Sequence, residues 1–261
     1  MIAFTSDRGG QSGIYVMNAD GTDQRLVIDN AEDPAFAPDG TRIVYVETVP
    51  LLAGVHTIGV DGNDQQKLYS ENRAMSDPDW SPDGQKIVFI YHTHQYFSIS
   101  LLESSGGRPQ KLTKPSTNQI NASPRWSPDG QRIAFSSDRD GDNEIYIMDP
   151  DGSNVKQMTN DDRTDYWPSW SPDGSQIAWT SNRDGNWEIY VMDATGGNVR
   201  RLTDNLAQDW VPAWSPEGTQ IAFASNRDGN WEIYAMDANG SQPRRLTDNE
   251  AEDIDPAWRP N

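Results

Sequence analysis

The stretch IAWTSNRDGNWEIYVMDATGGNVRRLTDNLAQDWVPAWSPEGTQ, residues 177–220, holds one complete structural unit. IAWTS (177–181), EIYVMD (188–193), VRRLT (199–203) and VPAWS (211–215) are short β-rich runs. NRDGNW, ATGGN and a polar loop separate them, and their Gly, Asn and Asp residues favour turns over strand continuation. This spacing predicts four antiparallel strands in a meander. No segment sustains a helical period.

The unit recurs along the whole chain. Its clearest marker is WSPDG or a near relative, starting at Phe36 (FAPDG), Trp80, Trp126, Trp170, Trp214 (WSPEG) and, truncated, Trp258 (WRPN). The starts lie 44, 46, 44, 44 and 44 residues apart. Six copies at this period predict an all-β six-bladed β-propeller of four-stranded antiparallel blades. One domain over residues 1–261 is expected, with repeats starting near 2, 43, 87, 133, 177 and 221. Ile2 opens a strand of the IAFTS type, so the first blade lacks its WSPDG strand at the N-terminal end. IDPAWRP (254–260) supplies that strand from the other end, which closes the ring and removes exposed sheet edges.

The turn chemistry has a direct account. Pro172 presets φ for the second turn position, Ser171 can bond back to the backbone, and Gly174 can take a positive φ. Trp170, just before the turn, is expected to fill the space between neighbouring blades. These positions read as architecture.

Composition narrows the function classes. A net charge of −19 argues against a nucleic-acid partner, which needs a basic stripe, and against anionic membrane surfaces. Cationic partners, metal ions and neutral ligands stay open. Hydrophobic residues make up 34%, with ten Trp supplying much of the apolar volume, and there is no Cys for disulfides. Neither a signal peptide nor an apolar run long enough to cross a membrane is present. The expectation is a monomer.

IAFSSDRDGDNEIYIMDPDGSNVKQMT (133–159) followed by WPSWSPDG (167–174) resembles the TolB-type propeller repeat. The resemblance extends over essentially the whole chain. It implies a periplasmic or extracellular six-bladed propeller that binds other proteins near one end of its channel. TolB proteins carry an α/β domain before the propeller, and this chain has no stretch that could form it.

Taking the WSPDG strand as innermost, the SPDG turns share one face with the MDATGG-type turns. The NRDGNW turns and the loops after LT share the other face, which varies more between repeats and is favoured for recognition. There, Asp33, Asp77, Asp165, Asp209, Asp253 and Asp255 stand at or near the inner-strand prolines. Trp167 and Trp210 lie at similar positions, and Trp187 and Trp231 in the adjacent hairpins. Carboxylates beside indoles suit a basic peptide or protein through charge pairing and cation–π contact. A solvated acidic rim with Trp packed between blades explains the same residues without a ligand.

Two other functions fit parts of the pattern. Trp187 and Trp231 are stacking platforms for a carbohydrate-binding propeller. His92 and His94, two apart in a β-rich run, share one face and are the pair on which a metal-dependent hydrolase or lyase would be built. No GxSxG, HExxH, P-loop or cysteine nucleophile accompanies them, so a non-enzymatic protein is expected. SDRDGDNE (137–144), SNRDGNWE (181–188) and SNRDGNWE (225–232) concentrate oxygen donors around a Gly, which is compatible with Ca²⁺ but equally with hairpin turns. No resident cofactor is expected otherwise.

Overall fold

A computed structural model describes residues 1–49, 53–93, 96–114 and 119–261. These form six four-stranded antiparallel sheets, with no helix among the described residues. The sheets are blades 1 to 6 in chain order, and blade 1 is completed by the last strand, Asp253–Trp258, which pairs with Ile2–Ser6. The six-bladed propeller and its closure are as the repeat predicts.

Blade 5 shows how the predicted runs become strands. From the channel outward it contains Asp165–Trp170, Gln176–Ser181, Glu188–Asp193 and Arg200–Arg201. The outer strand is shorter than VRRLT suggests. Leu202 turns inward and is buried, while the Thr203 hydroxyl oxygen accepts from the Ile189 amide at 2.9 Å, continuing the ladder through a side chain. Outer strands of only two residues, as in blades 3 to 6, leave little edge for another chain to pair with. The inner strand instead begins earlier than VPAWS suggests, at Asp209 in blade 6. The reason is that the X-Pro step sits inside the strand as a bulge, where proline's missing N–H costs no ladder bond.

The SPDG turns follow the sequence reading. The Ser171 hydroxyl accepts from the Gln176 amide at 2.9 Å, the Gly174 amide donates to the Ser171 carbonyl at 2.8 Å, and Gly174 has φ 70°. A Cβ on Gly174 would also press on Pro128 of the preceding blade at 3.3 Å.

Each apolar cluster joins two successive blades. Ala134, Ile145 and Ile147 of blade 4 pack with Trp170, Ile177 and Trp179 of blade 5. Across the closing seam, Ala222, Ala224 and Ile233 of blade 6 pack with Ile2, Phe4 and Met17 of blade 1. Burying each large side chain contributes about 1.5–3 kcal/mol, so no blade holds its core alone. The Trp170 indole N–H reaches back to the Arg125 carbonyl (3.3 Å) and that of Trp258 to the Ala213 carbonyl (3.1 Å). These rings do fill the space between blades.

Candidate functional site

The inner strands converge on a channel, and the residue before each inner-strand proline decides what the channel presents. Asp255, Asp33, Asp77, Ser123, Trp167 and Val211, in blades 1 to 6, all have φ between 51° and 57°. Such a left-handed φ is uncommon for non-glycine residues and costly for Trp or Val. It interrupts strand alternation, so each of these side chains lines the channel or the cavity at its mouth. Blades 1 to 3 therefore contribute three carboxylates, and blades 4 to 6 a hydroxyl, an indole and an isopropyl group.

The six predicted aspartates separate into two kinds. Asp33, Asp77 and Asp255 line the channel. Asp165, Asp209 and Asp253 stand at the first position of their inner strands and are fully buried. Arg183 reaches Asp165 at 2.8 Å, Arg227 reaches Asp209 at 3.0 Å, and Arg8 reaches Asp253 at 2.6 Å. Each guanidinium also lies over two aromatic rings of its blade, such as Phe223 and Tyr234 under Arg227. These three aspartates hold the NRDG-type hairpins to the inner strands and do not line the channel or its mouth. The expectation that they belong to the recognition surface therefore gives way to a buried ion pair.

Sequence reasoning missed the arginine partners, although the signal was present. Blade 4 has Asn121 with Arg139 (3.2 Å), whereas blades 2 and 3 have Ala31 and Met75 at the equivalent positions and no NRDG-type hairpin. The acidic or amide residue and the arginine appear and disappear together.

The channel carboxylates crowd one another. The Asp77 amide donates to Asp33 at 2.9 Å. Burial, then the charges of Asp77 and Asp255, hold the Asp33 carboxyl well above its ordinary value. Burial and Asp77 push Asp255 up to about 7, against the opposing pull of Arg125 and a Thr5 hydrogen bond, with Glu32 adding to the rise. Asp79, deeper in the channel, is raised by burial while Arg125 and the Trp126 amide lower it.

A raised carboxyl binds its proton more tightly folded than unfolded. It therefore contributes stability below the unfolded value, and that stability is lost as pH rises through the folded value. With Asp255 near 7, the chain should lose roughly 1–3 kcal/mol between pH 4 and pH 8 from this group. Urea midpoints measured across that range in EDTA should fall with rising pH, and D255N should flatten the slope. A slope of the opposite sign would refute this electrostatic account.

The predicted tryptophans form a connected arc. Ring centroids of Trp187 and Tyr166 lie 6.1 Å apart, Tyr166 and Trp167 5.3 Å, Trp167 and Trp210 5.5 Å, and Trp210 and Trp231 4.1 Å. Tyr166 is a member of this arc that the sequence reading did not single out. Trp231 stacks on the inner-strand ring of Trp210, whereas Trp187 meets the inner-strand ring of Tyr166 at a tilt. Acidic and aromatic halves meet in a cavity of about 280 Å³ whose lining includes Asp77, His92, Phe97, Ser123, Tyr166 and Trp167.

His94 lies outside the described residues, so the His92–His94 pairing cannot be placed. His92 itself contacts the Ser76 hydroxyl through Nε2 at 2.9 Å and stacks on Phe97 at 4.3 Å. Burial pulls its pKa down, with Asp77 opposing.

The fold and the channel define a six-bladed propeller with a chemically divided mouth. Residues 54–210 match the TolB beta propeller domain, and the chain belongs to that family. No curated protein matches significantly. Among solved structures, TolB from Acinetobacter baumannii superimposes with TM-score 0.87 at 24% identity, covering 100% of this chain and 66% of its own. A protein of Agrobacterium tumefaciens assigned as TolB gives TM-score 0.81 at 24% identity, covering 99% and 94%. A chain from a nidogen/laminin complex gives TM-score 0.77 at 10% identity, covering 98% of both. This chain thus spans just under two thirds of the Acinetobacter protein. No helix among the described residues is long and apolar enough to cross a membrane.

Proposed function

We propose that this chain is a non-catalytic binding propeller that takes a protein or basic peptide at the divided channel mouth, in the periplasm or outside the cell. The observation that carries the reading is the cavity joining Asp77 to Tyr166 and Trp167. A Lys or Arg side chain seated there gains a carboxylate and aromatic faces at once. At about 280 Å³ the cavity is below the range of drug-sized sites and suits one side chain of a larger partner. The net charge of −19 favours encounter with cationic partners. A carbohydrate platform is less well supported, since one face of Trp231 is stacked on Trp210.

Fluorescence titration with Lys/Arg-rich peptides tests the reading, with acidic peptides as controls. Binding should weaken about tenfold or more in D77N and in W167A, and with rising salt. Equal binding of acidic and basic peptides, or no effect of either substitution, would remove the proposal.

A further inference from the structure

The junction between blades 4 and 5 departs from its counterparts in blades 5 and 6 in one consistent chemical direction. In blade 5, Glu188 is fully buried and neutralised by the Arg201 guanidinium at 2.7 Å. The Asn186 side-chain amide donates to Glu188 at 2.9 Å, and the Asn205 side-chain amide donates to Asp209 at 2.7 Å. Blade 6 repeats the arrangement: Arg245 holds Glu232 at 2.6 Å, Asn230 donates to Glu232 at 3.2 Å, and Asn249 donates to Asp253 at 2.8 Å.

In blade 4 every one of these donors is replaced. The arginine position is Gln157, and the two asparagine positions are Asp142 and Asp161. Glu144 and Asp165 keep the places of the buried carboxylates, with relative exposures of 1% and 0%. Four carboxylates thus stand where blades 5 and 6 have two carboxylates and two side-chain amides. Arg183 is the cation seen at this junction, at 2.9 Å from Asp161 and 2.8 Å from Asp165. It corresponds to Arg227 and Arg8, so the Gln157 position is left without its charge.

The side chains are gathered as a ligand set. Carboxylate oxygens of Glu144, Asp161 and Asp165 lie within 4.8 Å of one another, the group of this kind found among the described residues. Buried acceptors are left over: Asp165 Oδ1 is unpartnered, as its equivalent Asp253 Oδ1 is, and here Asp161 Oδ1, Asp142 Oδ2 and Asn143 Oδ1 join it. An unpaired acceptor on a fully buried aspartate is costly unless something positive meets it. Glu144 accepts from the Thr159 hydroxyl and from the Asp161 amide at 2.7 Å, which orients it toward the cluster.

We propose that this junction binds one hard divalent cation, Ca²⁺, through Glu144, Asp161 and Asp165, supplying the positive charge that an arginine on the buried glutamate supplies in blades 5 and 6. The donor set is all oxygen, with no imidazole or thiolate, which selects Ca²⁺ or Mg²⁺ over transition metals. Asp142 Oδ2 and Asn143 Oδ1 are the nearest further acceptors in sequence, and the partial exposure of Asp161 admits water to the remaining positions. Ligands held at two strand starts and one loop are not set at octahedral corners, and Ca²⁺ accepts such an irregular shell more readily than Mg²⁺. The bound ion ties the blade 4 hairpin to the first inner-strand residue of blade 5.

The test is calorimetric titration and thermal unfolding of the EDTA-treated full chain with CaCl₂, with MgCl₂ at equal ionic strength as control. The expected result is one equivalent of Ca²⁺ bound, a Tm rise of roughly 5–10 °C at a hundredfold excess over Kd, and a smaller response to Mg²⁺. D142N/Q157R/D161N, which installs the blade 5 and 6 solution, should fold and lose the Ca²⁺ response. D161N alone should weaken binding at least tenfold, which keeps the proposal testable if the triple variant does not fold. No Ca²⁺ response in the parent chain overturns the proposal. So does a response that survives undiminished in the variants, since that marks screening of the net charge or binding in the channel.

Discussion

Removal of residues 252–261 is expected to abolish cooperative unfolding. The deleted segment is under a twenty-fifth of the chain, but it carries the whole inner strand of blade 1. Asp253–Trp258 pairs with Ile2–Ser6, and the Arg259 amide donates to the Met1 carbonyl at 3.0 Å. Ile254 and Trp258 pack on the cluster that joins blades 6 and 1, and the Trp258 indole bonds back to blade 6. The truncation would unpair one edge of Ile2–Ser6, strip the seam and remove Arg8's buried partner together. Each loss is on the order of a few kcal/mol, against a total stability of about 5–15 kcal/mol for a typical domain. Urea unfolding followed by tryptophan fluorescence and circular dichroism should show a single sigmoid for the full chain and a broad drift for the truncated one. Supplying residues 252–261 as a separate peptide should restore part of the transition. A truncated chain whose midpoint stays close to that of the parent would show that closure is dispensable.

The second large effect contrasts two carboxylates two residues apart. D253N should destabilise by about 3 kcal/mol or more, because it leaves the Arg8 guanidinium without its buried partner. Arg8 keeps 21% side-chain exposure, which lets water recover part of the loss and places the effect at the low end of the range for broken buried pairs. D255N should instead stabilise at neutral pH, since it removes one of the crowded channel carboxylates and Asn tolerates the φ of 53°. Chemical denaturation of both variants at pH 7.5 decides the matter through the two signs. Destabilisation of similar size in both would mean that the two aspartates share one structural role.

The blade count, the SPDG turns and the closing strand were legible because each is written several times. A repeated turn with Pro172 and Gly174 has few physical readings, and repetition removes the rest. The split among the aspartates was harder to see. Strand alternation puts Asp253 and Asp255 on one face, and so groups them as one acidic rim. The bulge at the proline breaks that alternation, turning Asp255 into the channel while Asp253 stays buried against Arg8. Bulges have no compositional mark beyond the proline itself. The joint occurrence of Asp209 with Arg227 and of Asp253 with Arg8 was readable in principle, since both members are missing from blades 2 and 3. The stacking of Trp210 on Trp231 was not readable, since it depends on how adjacent loops lean toward one another. The substitutions at Asp142, Gln157 and Asp161 stand in plain view, but their meaning appears only once Asn186, Arg201 and Asn205 are seen meeting the same buried glutamate and aspartate.

The bulge before each inner-strand proline also makes this protein easy to rewrite. Asp, Ser, Trp and Val all adopt the same φ there, so the backbone, and not the side chain, fixes the direction of projection. Six positions on one circumference therefore spell a short word, Asp–Asp–Asp–Ser–Trp–Val, on a frame that stays the same when a letter changes. Duplicating a blade adds a letter, and a point mutation respells it. A lineage built this way can explore new partners by single steps without first having to invent a new loop.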